Sequence, residues 1–235
     1  GGCVVAAPGH CGGDGSQRAV VVCKIPRVPF DHNDHYHYLL IRELPPDART
    51  ALDVGSGTGK FARRLARRGI NVDAIEASPE ALAAARKVSA HVWAPGTILW
   101  HRADVTEVDL PSEHYDFISC IASIHHMPFS VVKQLREALA PGGVLVILGL
   151  YREETTSDKL LNALAVPANL VARLVVALSE RLQPNWETAL TGDVEVPTTE
   201  PKMTLAEIKQ AAAEELPGCK IRRLLFWRYL LVYRK

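Results

Sequence analysis

Asp53-Val54-Gly55-Ser56-Gly57-Thr58-Gly59 is the stretch of this chain best suited to chemistry. It sets a carboxylate at the end of a short apolar run, followed by three glycines at alternate positions. Glycines there let the backbone turn with positive φ and approach a ligand closely. In an open α/β sheet the carboxyl end of a strand is where ligands bind. Two nucleotide readings fail on the residues. A phosphate loop of the Gly-x-x-x-x-Gly-Lys-Ser/Thr kind finds its end in Gly59-Lys60, but Val54 replaces the first glycine and Phe61 the metal-binding hydroxyl. A dinucleotide fingerprint would need its third glycine one position later, and Asp53 would stand beside the phosphates.

A second chemical cluster follows some sixty positions on, in Ile121-Ala122-Ser123-Ile124-His125-His126-Met127-Pro128. An imidazole titrates near neutrality and suits proton removal, so His125 and His126 are general-base candidates, with His125 preferred on loop position. The alternative is that one of them only packs or hydrogen-bonds across the loop. Asp31-His32-Asn33-Asp34-His35-Tyr36-His37-Tyr38 has ligand types suited to a metal, but His35 and His37 fall on different faces of a helix and no fourth ligand is near. No metal site is expected there.

The elements that must position these groups alternate. Asp31–Leu44 reads as a helix stopped by Pro45-Pro46. Thr50–Val54 reads as a strand, and Lys60–Arg68 as a helix closed by Gly69, with Phe61, Ala62 and Leu65 inward and Arg63, Arg64, Arg67 and Arg68 outward. Val72–Ile75 is a second strand, and Ser78-Pro79-Glu80 opens the next helix with an N-cap and a proline in the first turn. Ile98–Ala103 and Tyr115–Ile121 are further strands. A helix over Val131–Leu139 then leads through Pro141-Gly142-Gly143 into a strand at Val144–Leu148. Such alternation predicts a parallel sheet with helices on both faces. Beyond it, Asp158–Leu182 is rich in Leu, Val and Ala, Thr204-Leu-Ala-Glu207 is a capping box, and Lys220–Arg234 is strand-like.

Asp53 with Gly55-x-Gly57-x-Gly59 resembles motif I of the class I S-adenosylmethionine-dependent methyltransferases. The likeness runs from about Asp31 to about Leu150 and again through the last strands. It includes Glu76 at the end of the second strand, Asp104-Val105 after the third, Asp116 opening the fourth, and Leu139-Ala140-Pro141-Gly142-Gly143 before the fifth. The resemblance implies a Rossmann-like, doubly wound α/β fold: a seven-stranded mixed sheet, mostly parallel, with one antiparallel strand near the C-terminus. It implies S-adenosyl-L-methionine as cofactor, its amino-acid end held by Asp53, Gly55, Ser56, Gly57 and Gly59. Glu76 and Ala77 would meet the ribose, and Asp104 and Val105 the adenine. Ile121 would sit at the same site, on the loop between methyl donor and acceptor. Tyr36 and His37 would belong to a lid over the cofactor, and His32 and His35 to the acceptor pocket. Glu76 as a helix cap, Asp104 as a turn residue and the 31–44 segment as a solvated face remain alternatives. Asp116 is taken as structural.

The implied activity is methyl transfer to O, N or C of a small, partly hydrophobic organic acceptor. Leu160, Leu161, Leu164, Val166 and Leu170 would form an apolar wall, and core packing is an equal alternative for the same residues. An enzyme using the same cofactor for cyclisation or aminocarboxypropyl transfer, or a non-catalytic cofactor-binding protein, stays open. The Asn/Asp-Pro-Pro-aromatic motif of base methylases of this fold is absent, as is the acidic cluster that metal-dependent catechol methylation needs.

Lys+Arg of 27 against Asp+Glu of 26 leaves a formal net charge of +1 over 235 residues, so no global field favours a nucleic-acid partner. A mean hydropathy of +0.03 excludes a mostly disordered chain and a polytopic membrane protein. The longest apolar run, Gly142–Leu150, is too short to span a bilayer. Five cysteines in no paired spacing argue for neither zinc site nor disulfide framework, so a cytoplasmic setting is expected. Residues 1–29 are expected to be a poorly ordered extension, and residues 30–235 one domain with a helical insertion at about 155–215. Lys220, Arg222, Arg223, Arg228, Arg234 and Lys235 form a basic tail that could recruit an anionic substrate, but protection of an edge strand is the favoured reading.

Overall fold

A computed structural model gives the structure of the protein and describes residues 32–153 and 200–235. The expected extension at 1–29 and the apolar wall within 158–182 lie outside the described residues.

Among the described residues seven strands form one sheet: β1 (Thr50–Val54), β2 (Asn71–Glu76), β3 (Ile98–Arg102), β4 (Tyr115–Ile121), β5 (Leu139–Leu150), β6 (Lys220–Arg223) and β7 (Arg228–Arg234). Their spatial order is β3-β2-β1-β4-β5-β7-β6. The first five are parallel, and β7 lies antiparallel between β5 and β6. The order reverses at β1, between β2 and β4, which opens a crevice at the carboxyl ends of these strands.

Alternation along each central strand feeds two cores. Phe117 and Val146 face one side with Leu40, Phe61 and Leu65, whereas Ile118 and Ile147 face the other with Leu135 and Ile208. The first side is covered by α1 (His32–Ile41) and α2 (Lys60–Ala66), the second by α4 (Val131–Ala138) and α5 (Leu205–Glu215), with α3 (Pro79–Ser89) following β2. Local chemistry starts these helices where the sequence indicates. Ser78 Oγ accepts from the Ala81 N–H at 3.1 Å, and Thr204 and Glu207 close a reciprocal capping box. None of the helices among the described residues is long and apolar enough to cross a membrane.

Three expectations are corrected. Arg63 is 1% exposed instead of outward, and its Nη1 donates to the Thr58 carbonyl at 2.7 Å, bracing the glycine loop from behind. Pro141-Gly142-Gly143 lies within β5, not ahead of it. Tyr115 pairs with Leu139 and Phe117 with Val144, so the motif sits in an irregularity of the ladder, with Gly142 at φ 78°. The last strand, β7, is interior and needs no edge protection. The edge is β6, where Lys220 and Arg222 are exposed.

Candidate active site

A cavity of about 770 Å³ opens at the carboxyl end of the sheet. The glycine loop forms one wall. Gly55, Gly57 and Gly59 all have positive φ, and the Gly55 and Ser56 N–H groups both donate to the Ile75 carbonyl, at 2.9 and 3.0 Å. Glu76 anchors the loop from β2: its Oε2 accepts from the Gly57 N–H at 2.7 Å and its Oε1 from the Ser78 N–H at 2.9 Å. The capping role considered for Glu76 falls instead to Ser78, whose Oγ accepts from the Ala81 N–H inside the helix. Asp104 Oδ1 accepts from both the N–H and the hydroxyl of Thr106, and these bonds hold its carboxyl below the usual range.

Asp53 is the electrostatic centre of this wall. The register opposes it to Ser119 of β4, whose hydroxyl donates to Asp53 Oδ1 at 2.7 Å. Its Oδ2 is sealed from solvent and takes no hydrogen bond of ordinary length and angle from the described residues. Burial, reinforced by the nearby Glu76 charge and opposed by the Ser119 hydroxyl, pushes the carboxyl up to about 7.

The histidine loop faces the glycine loop and is locked to it. Ser123, buried at its start, donates through Oγ to the Val54 carbonyl at 2.7 Å. A Cβ added to Gly55 would fall 2.3 Å from Ser123 Cβ. The preceding residue, Ala122, holds a left-handed φ of 51° while its N–H donates to the Leu148 carbonyl. Strain of this kind persists where surroundings over-determine it. It turns the chain sharply out of β4 into the short 3₁₀ helix Ile124–His126, where the His125 and His126 rings lie 4.0 Å apart, centroid to centroid. Gly55→Ala is thus expected to cost about 1–3 kcal/mol, from its positive φ and the Ser123 clash, seen as a lower melting temperature.

A family model described as a methyltransferase domain matches residues 52–147, the stretch that carries both loops. Over 208 residues the chain is 31% identical to a protein of Mycobacterium tuberculosis named as an uncharacterized methyltransferase, covering 88% of this chain and 97% of that one. The chain belongs to the class I S-adenosylmethionine-dependent methyltransferases. Among more distant members, a ubiquinone biosynthesis O-methyltransferase of Xanthomonas campestris is 32% identical over 144 residues, 59% of this chain and 56% of the relative. The fold also matches the crystal structure of an S-adenosylmethionine dependent methyltransferase from Mesorhizobium loti, with TM-score 0.55 and 16% identity over 86% of this chain and all of that one.

The residues present suit the cofactor of this methyltransferase family. The cavity is in the size range of small-molecule sites. Its wall holds two buried polar atoms, Asp53 Oδ2 and Ser56 Oγ, that make no hydrogen bond of ordinary length and angle with the described residues. A buried acceptor of this kind is costly unless a ligand donor meets it.

Of the site residues expected from sequence, His37, Asp53, Gly55, Ser56, Gly57, Glu76, Ala77, Asp104, Val105, Ile121, His125 and His126 line this one cavity. Tyr36 does not. It packs in the core, its hydroxyl donating to the Leu225 carbonyl at 3.2 Å, because the helix turns that face onto the sheet. His35 is exposed and off the lining, and the His32 side chain is outside the described residues. Gly59 is off the lining too. It caps α2 at φ 76°, and an added Cβ would strike the Trp100 ring.

Sequence reasoning missed Ser119 and Ser123, and it read Arg228 with the other basic residues of the tail as edge protection. A serine inside the apolar run of β4 was a usable signal for Ser119. Arg228, on β7, lines the cavity.

Proposed function

We propose that the protein methylates O, N or C of a small, partly hydrophobic organic acceptor seated over the ends of β4, β5 and β7, with His125 or His126 as general base. The observation that carries this reading is the histidine pair in the same cavity as the glycine loop, on a turn tied to it by Ser123 and Val54. Bound S-adenosylmethionine supplies an electrophilic methyl group on a sulfonium. The chain's own residues do the rest. Asp53 would receive the cofactor's ammonium, Glu76 would accept from the ribose hydroxyls, and Asp104 would accept from the adenine amine.

Displacement at the methyl carbon is in line, so the acceptor must be held opposite the sulfur and its proton drained. His125, half-buried and next to His126, fits that second task. Ile121, Met127 and Leu150 on the lining suit an acceptor with apolar parts. A hydroxyl is the acceptor that gains most from a histidine base, in keeping with the Xanthomonas relative's name as an O-methyltransferase.

Product analysis tests the reading. Methyl-labelled cofactor incubated with a panel of small phenols, alcohols and amines is expected to give a labelled acceptor and S-adenosylhomocysteine, measured by mass spectrometry. Accumulation of methylthioadenosine without labelled acceptor would overturn it.

A further inference from the structure

One hydroxyl interrupts the apolar run Phe117–Ile121 of β4. Alternation puts Phe117, Ser119 and Ile121 on the same face of the sheet. The register seats Ser119 between Asp53 of β1 and Val146 of β5, and Phe117 and Val146 belong to the apolar core with Phe61 of α2. Ser119 is wholly buried there. A hydroxyl in such surroundings is costly unless it is hydrogen-bonded. Its single proton has two acceptors in range, Asp53 Oδ1 at 2.7 Å and the Leu52 carbonyl at 3.4 Å. The short bond to a carboxylate is the stronger of the two.

This bond bears on Asp53 in two ways. It ties Oδ1 to β4, and with one oxygen tied the carboxyl no longer turns freely about its Cβ–Cγ bond. Oδ2 is left without a hydrogen bond of ordinary length and angle from the described residues, on a residue that lines the cavity. The bond also favours charge. Burial and the Glu76 carboxylate of β2 oppose ionisation of Asp53, and the Ser119 hydroxyl is the largest influence the other way, ahead of the Ala62 N–H of α2.

We propose that Ser119 is a positioning residue for cofactor binding: by donating to Oδ1 it fixes the Asp53 carboxylate with Oδ2 left to accept from the cofactor's ammonium. This rests on Asp53 receiving that ammonium, as in the function proposed above. Ser119 itself does not line the cavity, so its whole effect on the cofactor passes through Asp53.

Calorimetry on the full chain tests this. S-adenosylhomocysteine is titrated from pH 6 to 8.5 into wild type, Ser119→Ala, Asp53→Asn and the double variant. Lys60 of α2, His37 of α1, Glu80 of α3, Asp104, Arg228 of β7 and the loop histidines share the cavity, and the Cys120 thiol lies next to Ser119 in β4. All are common to the four proteins, so a slope present in wild type and absent in Asp53→Asn belongs to Asp53. Ser119→Ala is expected to bind about tenfold more weakly at pH 6 and a few-fold more weakly at pH 8.5, with the midpoint of the pH dependence about one unit higher. In the Asp53→Asn background the same alanine is expected to change affinity less than twofold.

Unaltered affinity in Ser119→Ala, or an equal loss at every pH with the midpoint in place, would overturn the assignment, because a hole in the packing moves no midpoint. So would an alanine effect of full size in the Asp53→Asn background. Should Ser119→Ala not fold, Ser119→Cys takes its place, since a thiol is a weak donor, and a wild-type midpoint there is the overturning result. Failure of wild type to bind S-adenosylhomocysteine, or normal binding in Asp53→Asn, would instead sink the reading of Asp53 beneath this one.

Discussion

Replacing Asp53 with asparagine is expected to weaken S-adenosylhomocysteine binding about 100-fold at pH 8 while stabilising the ligand-free protein. Both effects come from one buried carboxyl. In the free protein, burial and the Glu76 charge raise it to about 7, above its value in an unfolded chain. Between those two values the folded state holds a proton that the unfolded state releases. The contribution of Asp53 is therefore most favourable at acid pH, is lost as pH rises to about 7, and is level above that. Asparagine removes the penalty. A gain of about 1–3 kcal/mol is expected above pH 7, less than the full titration energy because the new amide must itself be satisfied beside Ser119.

Cofactor affinity has the opposite sign. An ammonium against Oδ2 favours the charged carboxylate, so affinity in wild type is expected to fall as pH drops below about 7. Asp53→Asn should show no such dependence. Paired melting curves and calorimetric titrations from pH 5.5 to 8.5 check both slopes. An asparagine variant that is destabilised and binds normally would remove Asp53 from the cofactor site.

His125→Ala is expected to lower kcat by about 100- to 1,000-fold on a hydroxyl acceptor, with S-adenosylhomocysteine affinity within about twofold of wild type. The proton leaves the acceptor only in the transition state, so a base contributes there and little to ground-state binding. The decisive readout is the pH profile. The ascending limb of kcat in wild type should vanish in His125→Ala, and residual activity should rise with hydroxide or added imidazole. His126→Ala, at an exposed position whose ring packs on His125, should cost only a few-fold. A larger loss in His126→Ala than in His125→Ala would exchange the two roles.

Sequence alone was enough where a local rule applies. Ser78-Pro79 and Thr204…Glu207 mark helix starts because a side chain within three residues satisfies an exposed N–H. The apolar runs at Thr50–Val54 and Tyr115–Ile121 are strands because both their faces are buried. The three glycines after Asp53 mark a tight strand-to-helix loop because their backbone needs positive φ. From these signals the α/β sheet, the cofactor wall and the histidine loop could all be named.

What the tertiary structure decided is where distant side chains meet and which cations are buried. Arg63 and Arg228 look like surface residues in their own segments, yet both are buried in the folded chain. The Asp53–Ser119 hydrogen bond depends on β1 and β4 pairing in one register, across more than sixty residues. The strained turns at Ala122 and Phe226-Trp227 carry no sequence mark of their own. They exist because strand pairing and core packing outweigh the local preference against left-handed backbone, a balance no short window of sequence contains.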